Sequence, residues 1–319
     1  MRALQVIEFK TPPEITEVET PEPAPGEVRI KVAACGLNFA DLLMIRGEYQ
    51  ETPRPPFTLG LEAAGTIDAA GPGPSELALG QRVAVFGGSG GLAEYLTAPS
   101  VLCVPLPDEM SFEDAAAFQI AYGTSHMALT HRAGLKSGEK LLVLGAAGGV
   151  GLTAVEVGAV LGTEVIAVAR GADKLAVAKS AGAHHLLDAT DPDLAEKLKA
   201  FGGIDVIYDP VGGDLATTSL KAAARGARFL VIGFASGTVQ EVKLNHLLVK
   251  NIAVHGFYWG GYLAFDPGPL RKSMTELFGL YASGKLKPHI GLTVPLEEAP
   301  AALDKLRKRE TTGKVVITL

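Results

Sequence analysis

Two cysteines, Cys35 and Cys103, are all that the 319 residues contain. Neither a disulfide framework nor a four-thiolate zinc lobe can be built from them, and both read as small hydrophobes in a reduced setting. The seven histidines show no metal-ligand spacing; His184 and His185 are adjacent, and on a strand they point to opposite faces. Positive charge is short as well: 29 Lys and Arg stand against 35 Asp and Glu, a formal net charge of −6. That balance argues against nucleic acid and anionic membrane as partners. The densest basic cluster, Arg307, Lys308 and Arg309 beside Lys305 and Glu310, reads as a solvated helix face. Long apolar runs are missing too. The longest charge-free candidate, Leu141 to Val155, is too short for a span and rich in glycine. The opening MRALQVIEFKTPP lacks the apolar core of a secretory leader, so the expected location is the cytoplasm. Only three Asn and five Gln occur, a depletion met in heat-adapted proteins.

What remains is an ordinary globular composition, 47% hydrophobic and 20% charged, on a chain long enough for two domains. Residues 1–110 are rich in Pro and Gly and carry the short runs ALQVIEF, EVRIKVAAC, EAAGTIDAAG, QRVAVFG, GLAEYLTAP and VLCVPLP. Alternation and intervening turn residues predict an irregular antiparallel barrel or sandwich. A helix is expected to open at SFEDAAAFQIAYGTSHMALTHRA, with Ser111 as N-cap and Asp114 three residues on. Between about 140 and 258 the rhythm changes to six apolar runs: KLLVLG, EVIAVA, HHLLD, IDVIYD, ARFLVIG and NIAVHGF. Helical periodicity fills most gaps, as at 172–181 and 193–200. Such alternation predicts an α/β, doubly wound parallel sheet covered on both faces. The tail offers helices near 269–284 and 297–309 and a last strand, KVVITL. The expected division is therefore 1–119 with 266–319, and 120–265.

Strand KLLVLG runs directly into AAGGVG and an apolar helix. Against the dinucleotide fingerprint G-x-G-x-x-G, Gly148 and Gly151 match and Ala146 stands in the first place. The middle glycine admits the pyrophosphate to the backbone and the last permits close helix–strand packing. The helix N-terminus presents free N–H groups and a positive dipole end. An acid at the tip of the next strand would select NAD. Here EVIAVARGADK places Ala169 and Arg170 at the tip and Lys174 one turn on, which suits a 2′-phosphate, so NADPH is the expected cofactor. Asp173 reads as a helix N-terminal acid.

Taken in order, CGLNFADLLMIRGEY, LGLEAAG, AAGGVG and the terminal GKVVITL resemble the medium-chain dehydrogenase/reductase superfamily over nearly the whole chain. Within it the chain is similar to the quinone oxidoreductase (zeta-crystallin-like) group. The resemblance implies a Rossmann domain with a six-stranded parallel sheet, plus a GroES-like irregular β-barrel catalytic domain. It places Asn38, Leu61 and approximately Ala116 where zinc alcohol dehydrogenases keep Cys, His and Cys. None of the three is a thiolate or an imidazole, and GGSGGLAEYL leaves no room for the structural zinc lobe, so no metal is expected. A metal-free site needs an acceptor already activated toward hydride, a quinone or a conjugated enone.

The resemblance further implies that Asn38 lines the site beside the nicotinamide, that Tyr49 in RGEY meets the acceptor oxygen, and that Thr124 in YGTS approaches the nicotinamide ribose. Gly148, Gly149 and Val150 carry over as phosphate contacts, chiefly through backbone. Val211 in YDPVGG, Phe234 in VIGFASG and Phe257 are expected beside the cofactor. Ala189 stands near where the group often has a tyrosine for the 2′-phosphate. Lys314 is expected near the cofactor side of the site and also beside Glu62 of LGLEAAG, a lone carboxylate among small residues that requires a partner if buried. His126 reads as a packed or hydrogen-bonded histidine. A homodimer through the edge strand NIAVHGF is expected. The alternatives are an enoyl-thioester or alkenal reductase with the same hydride logic, and a non-catalytic NADPH-binding protein.

Overall fold

The computed structural model describes residues 1–73 and 76–319. The chain divides into two compact units, Met1–Ile120 with Pro288–Leu319, and Ala121–Lys287.

In the second unit all six apolar runs form strands, and every pairing is parallel. Their spatial order is His185–Asp188, Glu164–Ala169, Lys140–Leu144, Ile204–Asp209, Ala223–Val231, Ala253–Gly256. The chain builds outward from Lys140–Leu144 in one direction and then crosses to continue in the other. The switch point therefore falls between that strand and Ile204–Asp209, where open α/β sheets bind ligands. Near-continuous apolar sequence is required because both faces are covered. Leu142, Leu144, Ile166, Val168, Ile207 and Phe229 form the core on one side.

In the first unit a seven-stranded sheet runs Ile290–Pro295, Lys314–Thr318, Glu27–Leu37, Glu62–Ala70, Arg82–Phe86, Cys103–Pro105, with Tyr95–Pro99 also paired to Glu27–Leu37. Its pairs are antiparallel except the first, which is parallel. Arg2–Val6 lies between Glu14–Glu17 and Phe57–Thr58 in a smaller sheet. Glu14–Glu17, Phe57–Thr58 and Ile290–Pro295 were not anticipated from sequence, being polar, two residues long, or interrupted by Gly and Thr.

Two expectations shift. The helix expected from Ser111 is broken into Phe112–Ala116 and Gln119–Met127, followed by a π-helical turn over Ala128–Arg132. Ser111 caps as expected, its Oγ accepting from Asp114 N at 3.0 Å. The second unit also continues to Lys287, past the expected return at 266, because helix Pro267–Ala282 packs within it. Leu270, Met274 and Leu277 are buried, and Ser273 Oγ lies 2.8 Å from His126 Nδ1. Among the described residues no helix is long and apolar enough to cross a membrane.

Candidate active site

Glu62 begins strand Glu62–Ala70 opposite Gly36, and its side chain is fully buried. A carboxylate can stay there because both of its oxygens are paired. Oε1 accepts from Lys314 Nζ at 2.7 Å and from Asn38 Nδ2 at 2.9 Å, and Oε2 accepts from Ile120 N at 2.8 Å. The Glu62–Lys314 pair expected from sequence thus forms, and it is more deeply buried than expected. Gly36 is glycine for a steric reason: a Cβ there would lie 2.1 Å from Ala116 O and 3.1 Å from Glu62 Oε1.

The same network narrows two assigned roles. Lys314 Nζ has three protons and three protein acceptors, Leu37 O at 2.8 Å, Asn38 Oδ1 at 2.8 Å and Glu62 Oε1. No donor is left for a ligand, which removes Lys314 from the direct cofactor contacts and makes it a support. Asn38 donates from Nδ2 to Gly36 O at 3.2 Å and to Glu62, an orientation set by the ammonium on its oxygen. Its amide therefore has no donor left to give.

Asp41, three residues after Asn38, reaches back to Asn38 N at 2.7 Å and also accepts from Gly60 N at 3.2 Å. It ties the start of helix Phe39–Arg46 to the loop before Leu61. Burial pushes its carboxyl up to about 7, against the two backbone N–H groups that favour the charged form. Tyr49 lies half-buried just beyond that helix. Asn38, Leu61 and Ala116 present an amide and two alkyl groups. Among the described residues no cluster of three or more His, Cys, Asp or Glu is arranged to hold a metal. This donor set does not fit zinc.

In the second unit, strand Lys140–Leu144 ends at Gly145 and helix Gly149–Val160 starts after Gly148. A Cβ on Gly151 would lie 2.2 Å from Gly145 O, so the helix packs this close only with glycine. A Cβ on Gly148 would meet nothing nearer than Gly145 O at 3.4 Å. The fold itself does not require that glycine, and the N–H groups of the helix's first turn have no helical acceptor. This is the cradle a pyrophosphate needs.

The other expected contacts lie on the same unit. Arg170 is exposed at the tip of Glu164–Ala169, and Lys174 is half-buried in helix Ala172–Ser180. Asp188, on the adjoining strand, accepts from Gly171 N at 3.0 Å. Its Thr190 hydrogen bonds, with smaller help from Gly171 and Arg170, hold its carboxyl below the usual range. At the end of Ile204–Asp209, Asp209 Oδ1 accepts from Val211 N and Gly212 N, both at 2.8 Å, and shapes the turn that carries Val211. Burial pushes the Asp209 carboxyl up. Val211 packs on Gly145, where a Cβ would lie 2.9 Å from its Cγ2, and Phe234 lies beside Gly212. Phe257 is buried, with its N–H on Val231 O at 3.1 Å. Thr124 is buried in helix Gln119–Met127. His126 is packed as expected, and burial lowers its pKa. Sequence reasoning missed Asp41, although its spacing from Asn38 is a capping-box signal. It also missed Ser125, Thr153 and Tyr208, which carry no sequence signal.

Two family models match the chain: an alcohol dehydrogenase GroES-like domain over residues 24–108 and a zinc-binding dehydrogenase over 149–278. Quinone oxidoreductase-like protein 2 of Bos taurus is 38% identical over 323 residues, covering 100% of this chain and 92% of that protein. Among solved structures, the quinone oxidoreductase of Thermus thermophilus, known alone and with NADPH, matches with TM-score 0.89, 34% identity and 100% of both chains. Escherichia coli quinone oxidoreductase complexed with NADPH matches with TM-score 0.91, 30% identity and 100% of both chains. With the strand order, the glycine turn and the metal-free donor set, these likenesses establish that the chain belongs to the zinc-free quinone oxidoreductase group of the medium-chain dehydrogenase/reductase superfamily.

Proposed function

We propose that the chain reduces a quinone, or a similarly conjugated carbonyl, with NADPH and without a metal. The observation that carries this reading is the 145–151 turn, packed so closely that Gly151 admits no Cβ yet open above Gly148. The NADPH complexes of the Thermus and Escherichia relatives support it. NADPH, when bound, supplies the hydride. The N–H groups of Gly149 and Val150 take the pyrophosphate, Gly148 N–H being held by Gly145 O at 2.9 Å, and Arg170 and Lys174 take the 2′-phosphate. Thr124 meets the nicotinamide ribose, and Val211, Phe234 and Phe257 bound the ring. Asn38, lacking a spare donor, acts only as an acceptor. A donor for developing charge on the acceptor oxygen is then the Tyr49 phenol, and the final proton comes from water.

The test is an acceptor screen that follows NADPH absorbance, run with and without EDTA. Quinone-dependent oxidation indifferent to the chelator is expected. Saturation with an enoyl thioester but not with quinones would transfer the reading to an alkene reductase. NADPH binding without oxidation by either would make the protein non-catalytic. Arg170→Ala should weaken NADPH about 10- to 100-fold, the value of one charge-assisted hydrogen bond, and leave NADH nearly unchanged. Equal losses for the two cofactors would remove Arg170 from the 2′-phosphate.

The reading includes a homodimer. Strand Ala253–Gly256 is a sheet edge, with Val254 40% exposed. The preceding helix Leu244–Lys250 leaves Leu244, Leu248 and Val249 at least 70% exposed. An unpaired edge beside exposed apolar side chains suits a second copy of the same surface about a two-fold axis. Leu248→Glu should shift the chain from dimer to monomer mass in light scattering; a monomeric wild type would remove the dimer.

A further inference from the structure

Three segments assigned to the cofactor converge on one buried group of hydroxyls. Ser125 adjoins Thr124 and is fully buried. Its Oγ lies 2.9 Å from Val150 O, 2.8 Å from Thr153 Oγ1 and 3.0 Å from Tyr208 Oη. Thr153 Oγ1 in turn lies 3.0 Å from Ala121 O and 3.1 Å from Val150 O. Ala121 and Ser125 belong to helix Gln119–Met127, Val150 and Thr153 to helix Gly149–Val160. Tyr208 is the penultimate residue of strand Ile204–Asp209, three residues before Val211. The strand holds it opposite Val143, on the strand that feeds the glycine turn.

Proton counting gives the group a direction. The Tyr208 hydroxyl has one partner, Ser125 Oγ, and burial pushes its pKa up, so it stays a donor. With one Ser125 lone pair taken, the serine proton turns to Val150 O or Thr153 Oγ1. The threonine proton then serves Ala121 O. Tyr208 donates into the group, and the serine and threonine protons have backbone acceptors in Val150 O and Ala121 O, so no buried donor is left over.

We propose that this hydroxyl chain positions the dinucleotide: it locks the pyrophosphate turn, the helix bearing Thr124 and the strand end bearing Val211 at fixed separations, and Tyr208 is its anchoring donor. The inference rests on the functional reading above. Tyr208 touches no ligand, since its side chain is wholly buried; it is a positioning residue that acts through Ser125 on the helix turn below the phosphates.

The test is Tyr208→Phe, which removes one oxygen and keeps the ring, with Ser125→Ala as a second variant. Three quantities are read on the full chain: NADPH affinity by fluorescence titration, amide exchange of the first turn of helix Gly149–Val160 without cofactor, and Tm. Tyr208→Phe is expected to weaken NADPH about two- to tenfold, the range for one neutral hydrogen bond. It should speed exchange at residues 149–151 while leaving exchange at the Arg170 tip unchanged. Ser125→Ala should do the same more strongly. A lowered Tm with unchanged NADPH affinity and unchanged exchange at 149–151 would make the group mere core packing and overturn the proposal. A wild type that binds no NADPH would sink the functional reading as well, whereas a binding wild type with an indistinguishable Tyr208→Phe sinks this inference alone.

Discussion

Lys314→Met should destabilise the first unit by about 3–5 kcal/mol, the loss seen when one partner of a buried ion pair is removed. The pair itself contributes little net stability, because two charges had to leave water to form it. Its removal by halves is a different matter. Without the ammonium, Glu62 remains fully buried with Asn38 Nδ2 and Ile120 N as its remaining donors among the described residues, and Leu37 O and Asn38 Oδ1 each lose the hydrogen bond from Nζ. Asn38 would then be free to turn over, so the acceptor site assigned to it should loosen too. The measurement is the urea midpoint of Lys314→Met beside the double variant Lys314→Met with Glu62→Gln. The double variant should recover part of the loss, since no uncompensated charge remains. A midpoint unchanged in Lys314→Met would show that the network does not brace the unit.

Two glycines of the same turn should respond in opposite ways to the same added methyl. Gly148→Ala has room, its nearest contact being Gly145 O at 3.4 Å, and its φ of −83° suits any residue. Its Tm should stay close to the wild-type value, because 3.4 Å is an ordinary van der Waals contact that displaces nothing. NADPH affinity should nonetheless fall about 10- to 100-fold, because the methyl fills the space assigned to the pyrophosphate. Gly151→Ala places its Cβ 2.2 Å from Gly145 O and 2.8 Å from Gly145 C. It should lower stability by about 1–3 kcal/mol and weaken NADPH through the displaced turn. Thermal melts and fluorescence titrations on both variants decide the matter. Full NADPH affinity in Gly148→Ala would remove the pyrophosphate from this turn.

The nucleotide unit was legible in the sequence because its information is local. A parallel strand buried on both faces needs a continuous apolar run, and all six runs from KLLVLG to NIAVHGF became strands. The glycine spacing at 148 and 151 likewise states a backbone requirement within one turn. Boundaries and short elements were less legible. The break between Ala116 and Gln119 has no proline or glycine to announce it, and helix Pro267–Ala282 joined the second unit through Leu270, Met274 and Leu277, side chains equally suited to another core.

For the site, the residue types carried the chemical expectation: Asn38, Leu61 and approximately Ala116, which the resemblance places at the zinc-ligand positions, offer an amide and two alkyl groups, a donor set that does not fit zinc. The tertiary structure decided what the retained polar groups do. Lys314 and Glu62 are 252 residues apart and Ser125 and Tyr208 are 83 apart. Whether an ammonium has a donor left for a ligand, or a buried phenol has an acceptor, depends on hydrogen bonds that only those long-range contacts complete. The sequence thus determined the fold class of the units and, at those three positions, a donor set that does not fit zinc. Which partners each buried polar group takes was decided by packing, because a buried polar atom takes its role from the groups brought to it in three dimensions.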